Sequence, residues 1–309
     1  MEQRSRREFL GLVGAGGIAG VAGCLGGSDT VSVLSAGSLA QVLETIGEGF
    51  SAGHDAEFRG EFHGSNVVMQ LIEDEVKKPD VAVSADVDLL RDRLYPAFAS
   101  WDVVFAANEV GLAYDPDTEL GARLEGPEPW YEVLRSAEAG AVAISDPELD
   151  PLGYRALQVL ELAETEYGVD GLRETVSERA YREPDEPRLL TGIETGDRAV
   201  AICYKNMVID HGLAFHELPD RINLSDPAAA EFYATATYTT EDGYTARGSP
   251  VSYSATVLDD ADNPDAGREF VLYLLDNPTP LETNGLTVPD RLPLAAGATP
   301  ETITERVGG

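Results

Sequence analysis

From Val31 onward the chain alternates strand-length apolar runs with helical segments, and this alternation confines it to an α/β architecture. Residues 31–35 read as a strand and 39–51 as a helix. Residues 56–62 read as a strand and 67–76 as a helix with Val67, Leu71 and Ile72 on one face. Residues 81–84 are a short buried strand, 87–94 a helix, and 101–106 and 110–114 strands. A second region, from about Glu109 to Gly248, holds two further passages into helices, the later one stopping at Gly196. Residues 249–258 return to a strand pattern, and the helix of "NPDAGREFVLYLLDNP" stops at Pro278. Two such regions joined by more than one crossing predict two lobes around a cleft, residues 31–108 with 249–309 in one and 109–248 in the other. Ligands of such folds sit at the carboxyl ends of the strands.

The junctions carry the chemistry. In "SAGSL" and "HGSN" a Gly-Ser pair opens a helix straight after a strand: Gly37-Ser38 and Gly64-Ser65. Serine caps free N–H groups and glycine lets another backbone approach closely. Free N–H groups and the helix dipole bind anions without any net positive charge. Ordinary capping explains one such turn; a pair in successive units also fits an anion cradle. The second region starts its helices differently. Asp150-Pro151 and Glu186-Pro187 each place an acid at the cap and proline at the first helical position, where the missing N–H costs nothing. Capping suits Asp150 and suits Glu186 poorly. A carboxylate repels a simple anion, but it is a fitting ligand for a hard, highly charged metal. The two acids make sense together with the serines if the anion has a metal at its centre.

Acids number 55 and bases 22, a net charge of −33, and only Lys77, Lys78 and Lys205 are lysines. Nucleic acid is excluded as a partner, because phosphate binding needs a basic footprint. Dispersed acid with almost no lysine marks a haloarchaeal type of surface, made for salt that screens self-repulsion. Cys24 and Cys203 form no disulfide framework and no CxxC motif, and Cys203 reads as a small core residue in an apolar strand. His54, His63, His211 and His216 lack ligand spacing. No G-x-S-x-G elbow and no nucleophile–base pair argue for an enzyme; the rival from that class is an exported hydrolase using Asp150 and Glu186 as acid and base.

The first residues read as an address. Ser5-Arg6-Arg7-Glu8-Phe9-Leu10 is a twin-arginine export motif, followed by a Gly/Ala-rich stretch too short for a convincing membrane span. Val21-Ala22-Gly23-Cys24 resembles a lipobox. Residues 1–23 are then a signal peptide, Cys24 the lipidated terminus, and 24–30 a tether on the outer face of the cell membrane.

"SAGSL", "HGSNVV", "PDVAVSAD", "YPAFASWDVVFAANEVGLAY", "SDPELDPLGYRALQVLELAE", "GDRAVAICYKN", "HELPDRINLSDP" and "GSPVSYSATVL" occur in this order. Together they resemble the archaeal molybdate/tungstate-binding proteins of ABC importers, over most of the chain from Val31 to about Leu275. The resemblance implies a two-lobed type II periplasmic binding protein fold with hinge crossover strands. It implies that serines and backbone donors of one lobe surround the oxyanion, while carboxylates of the other complete an expanded oxygen shell around the metal. The serines fall on Ser38 and Ser65, the aspartate on Asp150, the tyrosine on Tyr204 and the glutamate on Glu186. The segment between Asp150 and Glu186 is shorter than the family pattern, so Glu183 and Asp185 compete for the glutamate's place. Ser84 and Asp86 read as structural or cleft-lining, and Arg155 as the partner of a nearby carboxylate. The implied partners are a permease and its ATPase. The implied state is a monomer without a cofactor beyond its ligand. Sulfate, phosphate or ferric iron remain the alternative solutes for the same fold.

Overall fold

The computed structural model describes residues 29–308, so the twin-arginine pair, Cys24 and nearly all of the tether lie outside the described residues. In chain order the strands are β1 (Asp29–Ala36), β2 (Ala56–His63), β3 (Val81–Ser84), β4 (Trp101–Ala107), β5 (Val110–Tyr114), β6 (Val142–Ser145), β7 (Tyr181–Glu183), β8 (Val200–Tyr204), β9 (Ala214–His216), β10 (Thr237–Thr239), β11 (Thr245–Arg247), β12 (Ser252–Val257) and β13 (Leu294–Gly297). One sheet has the order β13-β4-β12-β3-β1-β2 and the other β7-β6-β8-β5-β9, while β10 and β11 pair as a hairpin. The apolar runs take the inner places. Every residue of β3, β4, β5, β6 and β8 is buried, as expected of strands covered on both faces. The edge strands β2, β7 and β13 carry exposed residues.

Helix α1 (Ala40–Gly53) turns Val42, Leu43, Ile46 and Phe50 onto one face of the first sheet. Phe50 meets Phe270 edge to face at 5.5 Å. The opposite face is covered by α2 (Ser65–Glu73) and α3 (Val87–Leu94). Here the expected stripe is out of phase: Val68, Met69 and Ile72 are buried, whereas Val67 and Leu71 are half-buried. The helix begins at Ser65, and Ser65 itself faces inward, so the buried positions follow it at three, four and seven residues. On the second sheet α4 (Pro151–Tyr167) is buried almost all round as far as Ala163 and ends on Gly168 at φ 64°. The helix expected after Glu186 shrinks to a 3-10 turn, Glu186–Arg188, and a short helix, Thr191–Glu194. Gly192 and Gly196, the latter at φ 77°, leave too little good helix former for a longer one.

The chain passes from the first sheet to the second through Asn108 and Glu109 and returns through residues 248–251. The two passages touch, with Asn108 N donating to Val251 O at 3.3 Å. Among the described residues no helix is long and apolar enough to cross a membrane.

Candidate functional site

The four helix starts converge. Ser38 and Ser65 come from the first sheet's side, and Asp150, Glu186 and Tyr204 from the second. None of the five is more than 3 % exposed. The approach is close enough to explain both glycines. A Cβ on Gly37 would lie 2.8 Å from Glu186 Oε2, and one on Gly64 would lie 2.8 Å from Asp150 Cβ and 2.3 Å from Leu149 O. Asn66 Nδ2 donates across the junction to Glu148 O at 3.0 Å.

The capping expectation fails at every start. Ala36 and Gly64 occupy the cap positions, and the two serines lie inside the first turns with no capping bond. Asp150 does stand at a cap, but its side chain caps nothing. Glu186 is the first residue of its turn rather than the cap, a place taken by Asp185. The reason is shared: these side chains point across the junction instead of back along their own helices.

Both oxygens of Asp150 and both of Glu186 are buried without a hydrogen-bond partner. Burial pushes Asp150 up to about 7, while the Ser145 hydroxyl, the Leu152 amide and Arg155 pull weakly the other way. Burial, and then the charge of Asp150, push Glu186 well above the carboxylate range, against a smaller pull from Ser38 and the amides beside it. None of those neighbours closes a bond of sound geometry, so their pull only trims the rise. Unsatisfied buried carboxylates are costly, and two together signal a ligand. Glu183 and Asp185 do not share this position. Asp185 is half-buried and pairs with Arg188 at 3.1 Å, while half-buried Glu183 accepts the Asp185 amide.

The shifts have a sign that can be measured. Between an unfolded carboxylate pKa of about 4 and about 7 for Asp150, the folded protein holds protons that the unfolded chain has released. On this pair's account, stability therefore falls as pH rises through that window. Unfolding of the ligand-free protein in molar salt is expected to show a shallower loss between these limits in Asp150→Asn and in Glu186→Gln. Identical pH profiles in wild type and both variants would contradict the burial of the pair.

The hydroxyls have the opposite polarity. Ser65 Oγ accepts the Ala85 amide at 3.0 Å. Ser38 Oγ accepts the hydroxyl of Tyr253 at 3.2 Å, and Tyr253 in turn accepts Asn108 Nδ2 at 3.1 Å. Asn108 is oriented by Asn206 Oδ1 at 2.8 Å, and Asn206 donates to Ser38 O. The Tyr204 hydroxyl accepts Arg155 at 2.6 Å. Ser38, Ser65 and Tyr204 thus each have a lone pair engaged and their own proton left to give, whereas Tyr253 has given its proton to Ser38. Tyr253, Asn108 and Asn206 were missed from sequence; the one available hint was a polar Asn108 between two strands.

Asp86 caps α3 through Asp88 N and Leu89 N, and Ser84 Oγ bonds the Asp86 backbone, both structural roles as expected. Arg155 pairs with Asp86. Cys203 is buried in β8, its thiol pushed up to about 12 by burial.

Comparison with known proteins gives these features a family. Residues 31–279 match the model of the bacterial extracellular solute-binding proteins. A putative ABC transporter molybdenum-binding protein of Haloferax volcanii is 39% identical, with 82% of each chain covered. A molybdate/tungstate-binding protein of Thermococcus kodakarensis is 30% identical over 80% of this chain and 78% of its own. The periplasmic molybdate-binding protein of Azotobacter vinelandii superposes with a TM-score of 0.62 at 15% identity, covering 84% of this chain and all of that one, which shows a periplasmic binding protein fold. The chain belongs to the bacterial extracellular solute-binding protein family.

Proposed function

We propose that this protein captures molybdate or tungstate outside the cell and delivers it to the permease and ATPase of an ABC importer. The observation that carries the reading is the pair of buried, unpartnered carboxylates, Asp150 and Glu186, facing hydroxyls that have protons to donate. Ser38, Ser65 and Tyr204 hold the oxygens of a tetrahedral dianion. Asp150 and Glu186 add carboxylate oxygens to its metal, which a hard, highly charged centre accepts. Sulfur in sulfate and phosphorus in phosphate offer no such places, so the same groups, once ionised, repel those anions. The names of the Haloferax and Thermococcus relatives support the same solute. The protein is a binder and not an enzyme, as its family is.

The lobes of this reading are residues 31–108 with 249–309, and 109–248, hinged where Asn108 meets Val251. The chain leaves the cell by the twin-arginine route, is anchored through Cys24 and works as a monomer. One preparation tests the solute and the anchor together: protein recovered from washed membranes after growth with both oxyanions. Bound molybdenum or tungsten is expected, and calorimetry of the stripped protein in molar salt should rank tungstate and molybdate above sulfate, phosphate and ferric iron. Tighter sulfate, phosphate or iron binding would overturn the solute. Protein found only in the medium would overturn the anchor.

A further inference from the structure

Arg155 is the only base among the buried side chains of the described residues. Its Nη1 donates to the Tyr204 hydroxyl at 2.6 Å and to Ala85 O at 2.7 Å. Its Nη2 lies 3.2 Å from Asp86 Oδ2, which also accepts the Tyr154 hydroxyl at 2.6 Å. The other oxygen, Asp86 Oδ1, is held by the first amides of α3. Tyr154 and Arg155 lie in the second turn of α4, one turn beyond Asp150, and α4 packs on the second sheet. Ala85 and Asp86 follow β3 of the first sheet. The bonds to Ala85 and Asp86 therefore join the two sides of the junction, and the bond to Tyr204 stays within one side.

The geometry points to a latch in which Tyr154 and Arg155 of α4 dock on Ala85 and Asp86 when the two sides shut, and Arg155, held there, fixes the Tyr204 hydroxyl for the ligand. This rests on the reading of the site as an oxyanion receptor. A buried ion pair repays its desolvation only when further hydrogen bonds complete it. Here Tyr154 and Ala85 complete it across the junction, contacts that exist only in the shut arrangement, while Tyr204 completes it from Arg155's own side. Contacts confined to one of two states shift the balance between them. They touch no ligand oxygen, so they set how long a ligand stays and not which ligand is chosen. Arg155 is a positioning residue, acting on the ligand through Tyr204.

The test uses stopped-flow binding to whichever of tungstate, molybdate, sulfate and phosphate wild type holds. A preference for sulfate would thus defeat the solute while leaving the latch under test. Tyr154→Phe removes one bond without emptying space. It is expected to speed dissociation about ten-fold, the worth of a hydrogen bond to a charged group, with association unchanged and the same factor for tungstate and molybdate. Arg155→Lys keeps the charge and loses the fork. Its larger effect should shrink in a Tyr204→Phe background, because both changes break the same contact. Unchanged dissociation in Tyr154→Phe would overturn the latch. Full additivity of Arg155→Lys with Tyr204→Phe would overturn the coupling to the ligand. Failure of wild type to bind any of the four anions would overturn both the latch and the receptor reading.

Discussion

Asp150→Ala is expected to weaken tungstate binding by about a hundred- to a thousand-fold, ~3–4 kcal/mol, the range found when one partner of a buried charged contact is cut away. Sulfate binding by the same variant should change little or improve. The two outcomes differ because the carboxylate does opposite things to the two anions. Asp150 stands at the head of α4 with both oxygens buried and unpartnered. Tungstate offers those oxygens a metal. Sulfate offers only its own negative oxygens, so removing the carboxylate removes repulsion and a desolvation cost. Calorimetry with both anions in molar salt, at one pH above 7 where Asp150 is ionised, reads the difference directly. Equal losses for tungstate and sulfate would defeat the role of Asp150 at the metal and leave it as a general support of the site.

Gly64→Ala is expected to weaken every bound anion by the same factor, on the order of a hundred-fold. The added Cβ would lie 2.3 Å from Leu149 O, a distance real Cβ atoms do not tolerate, and Leu149 O is backbone that cannot swing aside. Gly64 itself sits at φ −55° and ψ 141°, which alanine adopts freely. The first sheet and α2 should therefore form normally, with a melting temperature close to wild type, while the approach of α4 is blocked. At Gly37 the new Cβ would lie 2.8 Å from both Glu186 Oε2 and the rigid Pro187 ring, so the same change there should also weaken binding. A wild-type affinity in Gly64→Ala would mean that the junction does not need to shut this tightly. Taken with Asp150→Ala, the pair separates choosing a solute from closing on it.

The sequence announces local features well. Alternating apolar runs give the strands and helices, and Gly-Ser and acid-Pro junctions give the four helix starts that meet. What those starts do is less legible. Ser38 and Ser65 look like caps because each is a good cap beside a helix. They are not, because their partners are remote: Tyr253 for Ser38 and the Ala85 amide for Ser65. The phase of α2 fails for a related reason, since an inward-facing Ser65 counts as polar in any periodicity while occupying a buried position. Glu186 illustrates the converse. Its neighbours Glu183 and Asp185 are chemically similar, and only the fold shows that they are half-exposed and already engaged.

The place of β12 has a consequence for the order in which the molecule is made. β12 lies between β3 and β4, antiparallel to both, although residues 252–257 follow them by most of the chain. Until that segment leaves the ribosome, β1–β2–β3 and β4 are two fragments with a gap where a strand belongs. The second sheet suffers no such delay, because all five of its strands come from one continuous stretch, residues 110–216. Its local pairing should form early, whereas the long-range closure of the first sheet comes late and slowly. On the proposed reading, the nascent chain thus holds Asp150 and Glu186 ready before the half that carries Ser38 and Ser65 is finished, and its binding site is complete only after its C-terminal segment has been synthesised.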